Sequence, residues 1–136
     1  LETKLILEGN PIPLQRARAS KNRFYDPQYL VKRNCLIEFK AQLLEQGKYD
    51  VPSDKGFRVD FEFYFAMPKS WSKKKKDRMI GEPHLGAKDL DNILKMYCDV
   101  LEGTIWENDC QIHCTFSYKE WADVGKTFLT IWEDDE

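Results

Sequence analysis

No stretch of this chain is apolar for the about 18 consecutive residues that a membrane-crossing helix takes, and no apolar signal-like segment opens it. C-x-x-C pairs are missing too, so the four cysteines suggest neither a zinc ribbon nor a disulfide framework. Cys110, His113 and Cys114 could suggest zinc by their proximity. Cys110 and Cys114 fit better as buried, reduced thiols on the inner face of a strand with Ile112. Internal repeats and interdomain linkers are absent, and 136 residues suffice for one domain with a sizeable core. The chain is expected to be cytoplasmic, with no membrane partner.

A large charge of either sign is also lacking. The net charge is −2, which taken alone argues against a nucleic-acid partner. Its distribution argues the other way. Residues 69–88 hold seven Lys or Arg against two acids, and residues 16–33 hold six against one. Residues 99–136 hold ten acids against two lysines, so the average hides a dipolar molecule.

Asp89-Leu90-Asp91-Asn92 is the stretch around which the rest is organised. In an extended segment residues i and i+2 point the same way, so Asp89 and Asp91 can face one point about 7 Å apart along the chain. Asp91 or Asn92 suits the N-cap of a helix carrying Ile93, Leu94, Met96, Tyr97, Val100 and Leu101 at helical spacing, with Gly103 as its stop. That helix, over 92–102, advances about 16 Å. Residues 104–109, if extended, return about 20 Å and bring Asp109 level with the helix start. Lys95 lies one turn above Asp91 on the same face. Three converging carboxylates repel one another and invite a hard cation such as Mg²⁺, which can orient water and stabilise charge on a phosphodiester. The plain alternative is a helix cap with two solvated acids.

The wording around these residues favours the first reading. Lys88-Asp89-Leu90-Asp91-Asn92-Ile93-Leu94-Lys95, Cys98-Asp99-Val100-Leu101 and Ile105-Trp106-Glu107-Asn108-Asp109-Cys110-Gln111-Ile112 resemble the RusA family of Holliday-junction resolvases, crossover junction endodeoxyribonucleases. Gly9-Asn10-Pro11-Ile12-Pro13 with Arg16-Ala17-Arg18, and Met67-Pro68-Lys69-Ser70-Trp71-Ser72-Lys73-Lys74, are similar to its phage-type members. The resemblance runs from about residue 5 to residue 132. It implies that Asp89, Asp91 and Asp109 form a metal-binding acidic triad, with Lys95 as the essential basic residue. It also implies Mg²⁺ as cofactor (Mn²⁺ substituting), action as a homodimer in recombination and repair, and a bacterial or phage-infected cell as the setting. Two positions depart from the family pattern: Lys88 stands where proline usually precedes the first Asp, and Asn108 where an acid often precedes the third.

The rest of the chain reads as follows. Lys4–Glu8 is a first strand, closed by the turn at residues 9–13. Residues 14–25 form a basic loop whose Arg16 and Arg18 suit phosphate. Asp26 as N-cap and Pro27 at N1 open a helix over 27–46, closed by Gly47. Its apolar face is Leu30, Ile37, Ala41 and Leu44. Leu36, Phe39 and Leu43 widen that face into either a broad core contact or a dimer surface. Phe57, Val59, Phe61, Phe63 and Phe65 alternate with polar residues in the clearest strand of the chain.

Residues 69–88 read as a mobile basic loop leading into Asp89. Its Lys73, Lys74, Lys75, Lys76, Arg78 and Lys88 are candidate DNA contacts, and Trp71 is either a base-stacking residue or core. Ile112, Cys114, Phe116 and Tyr118, then Phe128, Thr130 and Trp132, form a hairpin with an acidic tail. The fold class is α/β (α+β): one mixed four-stranded sheet with two main helices, in the order β-α-β-loop-α-β-β.

The function read from this is a Mg²⁺-dependent endodeoxyribonuclease that resolves four-way junctions by paired nicks. A broader flap or fork nuclease and a catalytically silent junction-binding module are the alternatives. A structural interaction protein using helix 27–46 is a blander one.

Overall fold

The computed structural model describes residues 2–15, 18–20, 23–48 and 52–135. Its elements are β1 (Glu2–Glu8), β2 (Arg18–Ser20), β3 (Arg23–Tyr25), α1 (Tyr29–Glu45), β4 (Phe57–Ala66), α2 (Lys73–Met79), α3 (Leu90–Leu101), β5 (Ile112–Ala122) and β6 (Lys126–Glu133). Four strands make one mixed sheet in the order β1-β6-β4-β5, and β2 and β3 pair separately. The expected α+β class and four-stranded sheet are therefore present, with a short third helix in addition.

The alternation along β4 sets one face of the sheet. Phe57, Val59, Phe61, Phe63 and Phe65 are buried, each at 2% exposure or less. Burying each phenylalanine is favourable by about 1.5–3 kcal/mol relative to exposure. Helix α1 adds Cys35, Phe39 and Leu43 to this core, and α3 adds Ile93, Met96, Tyr97, Val100 and Leu101. No described helix is long and apolar enough to cross a membrane.

Helix α1 differs from expectation in register. Asp26 does not cap it. Gln28 is the N-cap residue, while Asp26 accepts from the Gln28 N–H and pairs with Lys32 at 2.7 Å. The Lys32 ammonium holds the Asp26 carboxyl below the usual carboxylate range. Leu30, Ile37 and Leu44 are more than half exposed. The buried stripe is Cys35, Phe39 and Leu43, so the face expected to be central points to solvent.

Gln42 on α1 and Gln46, the C-cap residue one turn further on, meet the outer edge of β1. Gln42 accepts from the Ile6 N–H at 2.7 Å and donates to the Ile6 carbonyl at 2.6 Å. Gln46 does the same for Lys4, at 3.1 and 2.7 Å.

β5 and β6 do not form the expected hairpin. β4 lies between them, parallel to β5 and antiparallel to β6. The short link at 123–125 steps over the end of β4. Gly125 is needed there, because a Cβ would stand 2.1 Å from Asn10 Oδ1 and 2.7 Å from Asn10 N. The register places Phe116 opposite Asp60 and Tyr118 opposite Glu62, on the face away from the β4 phenylalanines. Phe116 is accordingly 65% exposed, and Cys110 and Cys114 are exposed rather than buried. Among the described residues, no group of three His, Cys, Asp or Glu could hold a metal, so Cys110, His113 and Cys114 make no zinc site.

Candidate active site

Helix α3 begins two residues earlier than its sequence suggests, at Leu90 rather than 92, with Asp89 as N-cap residue in place of Asp91 or Asn92, and with Asp91 in the first turn. The Asp89 side chain makes no capping hydrogen bond, and Asp91 Oδ1 accepts from the Asn92 N–H at 2.9 Å. Both carboxylates are exposed.

Asn92 faces the other way and ties α3 to the first loop. Its Nδ2 donates to the Leu14 carbonyl at 3.2 Å, and its own carbonyl accepts from the Leu14 N–H at 3.1 Å. The Tyr97 hydroxyl accepts from the Ile12 N–H at 2.9 Å, and buried Gln28 brackets Pro13 and Gln15. The chain therefore reaches Gln15 anchored beside α3, just before the basic β2–β3 pair. Arg16 lies outside the described residues, and Arg18 is described only as the β2 residue opposite Tyr25.

Asp109 returns toward α3, but not on an extended segment. Residues 103–105 are a turn, Trp106 makes isolated bridges to Ser53 and Glu102, residues 107–108 bend, and Asp109–Gln111 is a single 3-10 turn. Asn108 caps it, accepting from the Cys110 N–H at 2.9 Å, while Gln111 accepts from the Asn108 N–H at 2.8 Å. This explains Asn108 chemically: an amide is a good cap. Gln111 also donates to the Ser53 and Lys55 carbonyls, which fixes the turn against the segment before β4. The N-x-x-Q spacing of Asn108 and Gln111 is itself a capping signal in the sequence, separate from the Asp109 pattern.

Lys95 joins the two parts. Its Nζ lies 2.7 Å from Asp109 Oδ2 and 3.3 Å from Asp99 Oδ1. The hydrogen bond to Asp109 raises the Lys95 pKa well above that of a free lysine, so its charge is permanent at neutral pH. Cys98, on the same helix, is no nucleophile: burial pushes its thiol up to about 12.

The lysine-rich span is not the open loop expected. Ser72 caps α2 by accepting from the Lys75 N–H, and Arg78 sits in its last turn. Lys73, Lys74 and Arg78 are exposed, Lys76 is half-buried, and Lys75 lies 4.2 Å over the Trp71 ring. Trp71 packs on Trp121 at 4.9 Å, so it is part of a surface cluster. From Gly81 the chain runs along the edge of β5. Gly81 N–H donates to the Trp121 carbonyl, Trp121 N–H to Glu82, and His84 N–H to Lys119. Lys88, the last residue before Asp89, is exposed and offers its carbonyl to Lys119 Nζ.

The fold thus sets acidic side chains at the start of a helix, with a basic segment running into them. The sequence model of endodeoxyribonuclease RusA matches residues 8–132. The chain therefore belongs to the RusA endodeoxyribonuclease family, whose activity is on Holliday junctions and whose members generally depend on a divalent metal. A search of curated proteins found no match.

The donor chemistry fits such a metal, since every candidate ligand is a hard carboxylate oxygen open to solvent. Among the described residues, however, no three acidic, His or Cys side chains stand together as one metal-holding group. The structure brings Lys95 and Asp109 together, and places Asp89 and Asp91 together at the start of α3. It does not gather Asp89, Asp91 and Asp109 around one point.

Proposed function

We propose that this protein is a Mg²⁺-dependent resolvase that cuts four-way DNA by paired nicks, acting as a homodimer. The observation that carries this is the Lys95–Asp109 ion pair. It links the 3-10 turn after α3 to the helix that starts with Asp89 and Asp91, in a chain of the RusA family.

Asp89 and Asp91 at the start of α3 would hold the metal, and Asp109 would have to move in from its ion pair with Lys95 to join them; when bound, the metal would orient water and offset charge developing on the phosphodiester. Lys95 holds Asp109 and offers a permanent cation to a phosphate oxygen. Asp91 and the N–H groups of the first α3 turn set the field at the helix start. Lys73, Lys74, Lys76, Arg78 and Lys88, with Arg16 and Arg18, attract and track the backbone without reading bases.

Paired nicks need two copies of the site related by a two-fold axis. Two apolar surfaces support self-association: the outer sheet face around Phe116, Tyr118, Tyr64 and Phe128, and the exposed Leu30, Ile37 and Leu44 of α1. The test is cleavage of a labelled mobile four-way junction beside a flap, a fork and a linear duplex, with and without Mg²⁺. Symmetric nicks in the junction that require Mg²⁺ are expected. Equal cutting of all branched substrates would replace resolution by a broader nuclease activity, and no cutting of any would leave a junction-binding module.

A further inference from the structure

Lys119 and His84 have no place in the chemistry above, yet both close on the few residues that lead into Asp89. Lys119 lies opposite Phe63 in the β4–β5 pairing, on the helix side of the sheet. Its Nζ donates to the Gly86 carbonyl at 3.4 Å and to the Lys88 carbonyl, the last acceptor before Asp89. Its own carbonyl accepts the His84 N–H at 3.0 Å. One strand residue thus holds the approach segment at three places.

His84 is buried, between the Phe65 ring at 4.2 Å and the Trp121 ring at 4.4 Å. Its Nδ1 accepts from the Gly86 N–H at 3.3 Å, which makes the side chain part of the turn. Gly86 lies flat on that imidazole: a Cβ there would stand 2.7 Å from His84 Cε1. A buried imidazole and a lysine aimed at backbone carbonyls are costly uses of polar groups unless the backbone they hold must not move.

We propose that Lys119 and His84 are positioning residues for the active site, locking residues 84–88 so that Asp89 and Asp91 leave the helix start in one fixed direction. This rests on the reading of those carboxylates as the working pair. Displacing a catalytic group by about 1 Å can cost on the order of 100-fold in rate.

The test uses the full chain and four variants: Lys119→Met, Lys119→Arg, His84→Phe and Asp91→Asn. Lys119→Met keeps the aliphatic stem and loses both carbonyl bonds, while Lys119→Arg keeps donors. His84→Phe keeps the ring sandwich and loses the acceptor. With Lys119→Met we expect kcat for junction nicking in Mg²⁺ to fall about 10- to 100-fold. Junction affinity without metal should be unchanged, and amide exchange of residues 86–91 faster. Lys119→Arg should recover most of the rate, and His84→Phe should show a smaller loss of the same kind.

Parental kcat and parental amide exchange in Lys119→Met would overturn the proposal. A loss of junction affinity in Lys119→Met that matches its loss of rate would overturn it too, making Lys119 a phosphate contact. If Lys119→Met does not fold, His84→Phe decides by the same two readouts. Asp91→Asn separates the two levels: an inactive Asp91→Asn beside a fully active Lys119→Met removes only the clamp. A fully active Asp91→Asn removes the reading of the site itself.

Discussion

Replacing Lys95 by methionine separates what this side chain does for stability from what it does for rate. The change removes an ammonium 2.7 Å from Asp109 Oδ2 and 3.3 Å from Asp99 Oδ1, and keeps the stem on the helix. The Lys95 side chain is 53% exposed and its partners 31% and 29% exposed, so solvent screens both pairs. Pairs of this kind are worth about 0.2–1 kcal/mol each. The expected loss of stability is therefore about 1 kcal/mol, roughly 3–5 °C in Tm for a chain of this length.

The rate should fall much further. Losing one preorganised positive group at a developing phosphate charge costs about 10²–10³-fold. The sign of the pH dependence follows from the raised lysine pKa. Stability from the pair is fully present below the unfolded value, 10.5, and is lost only as pH rises through the raised folded value. The Tm difference between parent and variant should thus be flat from neutral to mildly alkaline pH. Thermal unfolding and single-turnover nicking of a labelled junction measure the two effects. A Lys95→Met chain that unfolds at room temperature would make Lys95 a structural keystone, and parental turnover would make it a solvated lysine; either refutes the reasoning.

Asp91→Asn should abolish nicking while junction binding, measured by gel shift without metal, is kept or tightened, since one repulsive charge near phosphate is gone. Neutralising Lys73, Lys74, Lys75 and Lys76 together should weaken binding to every DNA structure and flatten its salt dependence. Losing two true contacts would lower the log–log slope by roughly 1.8. The fold should hold, because α2 buries no residue. An unchanged slope in a salt titration would move the contacts elsewhere. Burial, with Lys119 and Lys88 nearby, lowers the His84 pKa, so the neutral ring is the folded form. Its contribution is full above the unfolded value of 6.5 and is lost as pH falls below it, a dependence of Tm that His84→Phe should abolish. Phe116→Glu and Ile37→Glu, compared by sedimentation, should show which uncovered surface joins two copies: only one should yield monomers.

The elements that the sequence reveals well are those whose pattern has one physical solution. The five alternating apolar residues of β4 can only face a core together. In α3, the apolar spacing and a closing Gly103 leave little choice of direction, although the helix starts at Leu90 and no carboxylate caps it. Lys95 meets Asp109 because a helix and a short return bring them level, even though the return is turned rather than extended. Side was harder to read than period. The pattern Ile112, Cys114, Phe116, Tyr118 shows that β5 has an apolar face. Only its parallel pairing with β4, which sets Phe116 opposite Asp60, decides that this face points outward. The same holds for Leu30, Ile37 and Leu44 on α1, whose inward side is Cys35, Phe39 and Leu43. Lys119 carries no local signal, since its partners lie more than thirty residues away in the chain.

The glutamines of α1 have a consequence for how sheets end. Residues four apart on a helix are about 6 Å apart along its axis, close to the spacing of residues two apart on a strand. A primary amide also carries one acceptor and donor hydrogens, as a peptide group does. Gln42 and Gln46 therefore present β1 with a counterfeit strand, built from side chains and held in register by helical pitch. A true strand from another chain would find Ile6 and Lys4 already engaged on that border. Charged or shorter side chains at these two positions could not make the imitation, since glutamate lacks the donor and asparagine lacks the reach. Four main-chain groups would then be left as an invitation to edge-to-edge polymerisation. The sheet stops growing at β1 because a helix impersonates its next member.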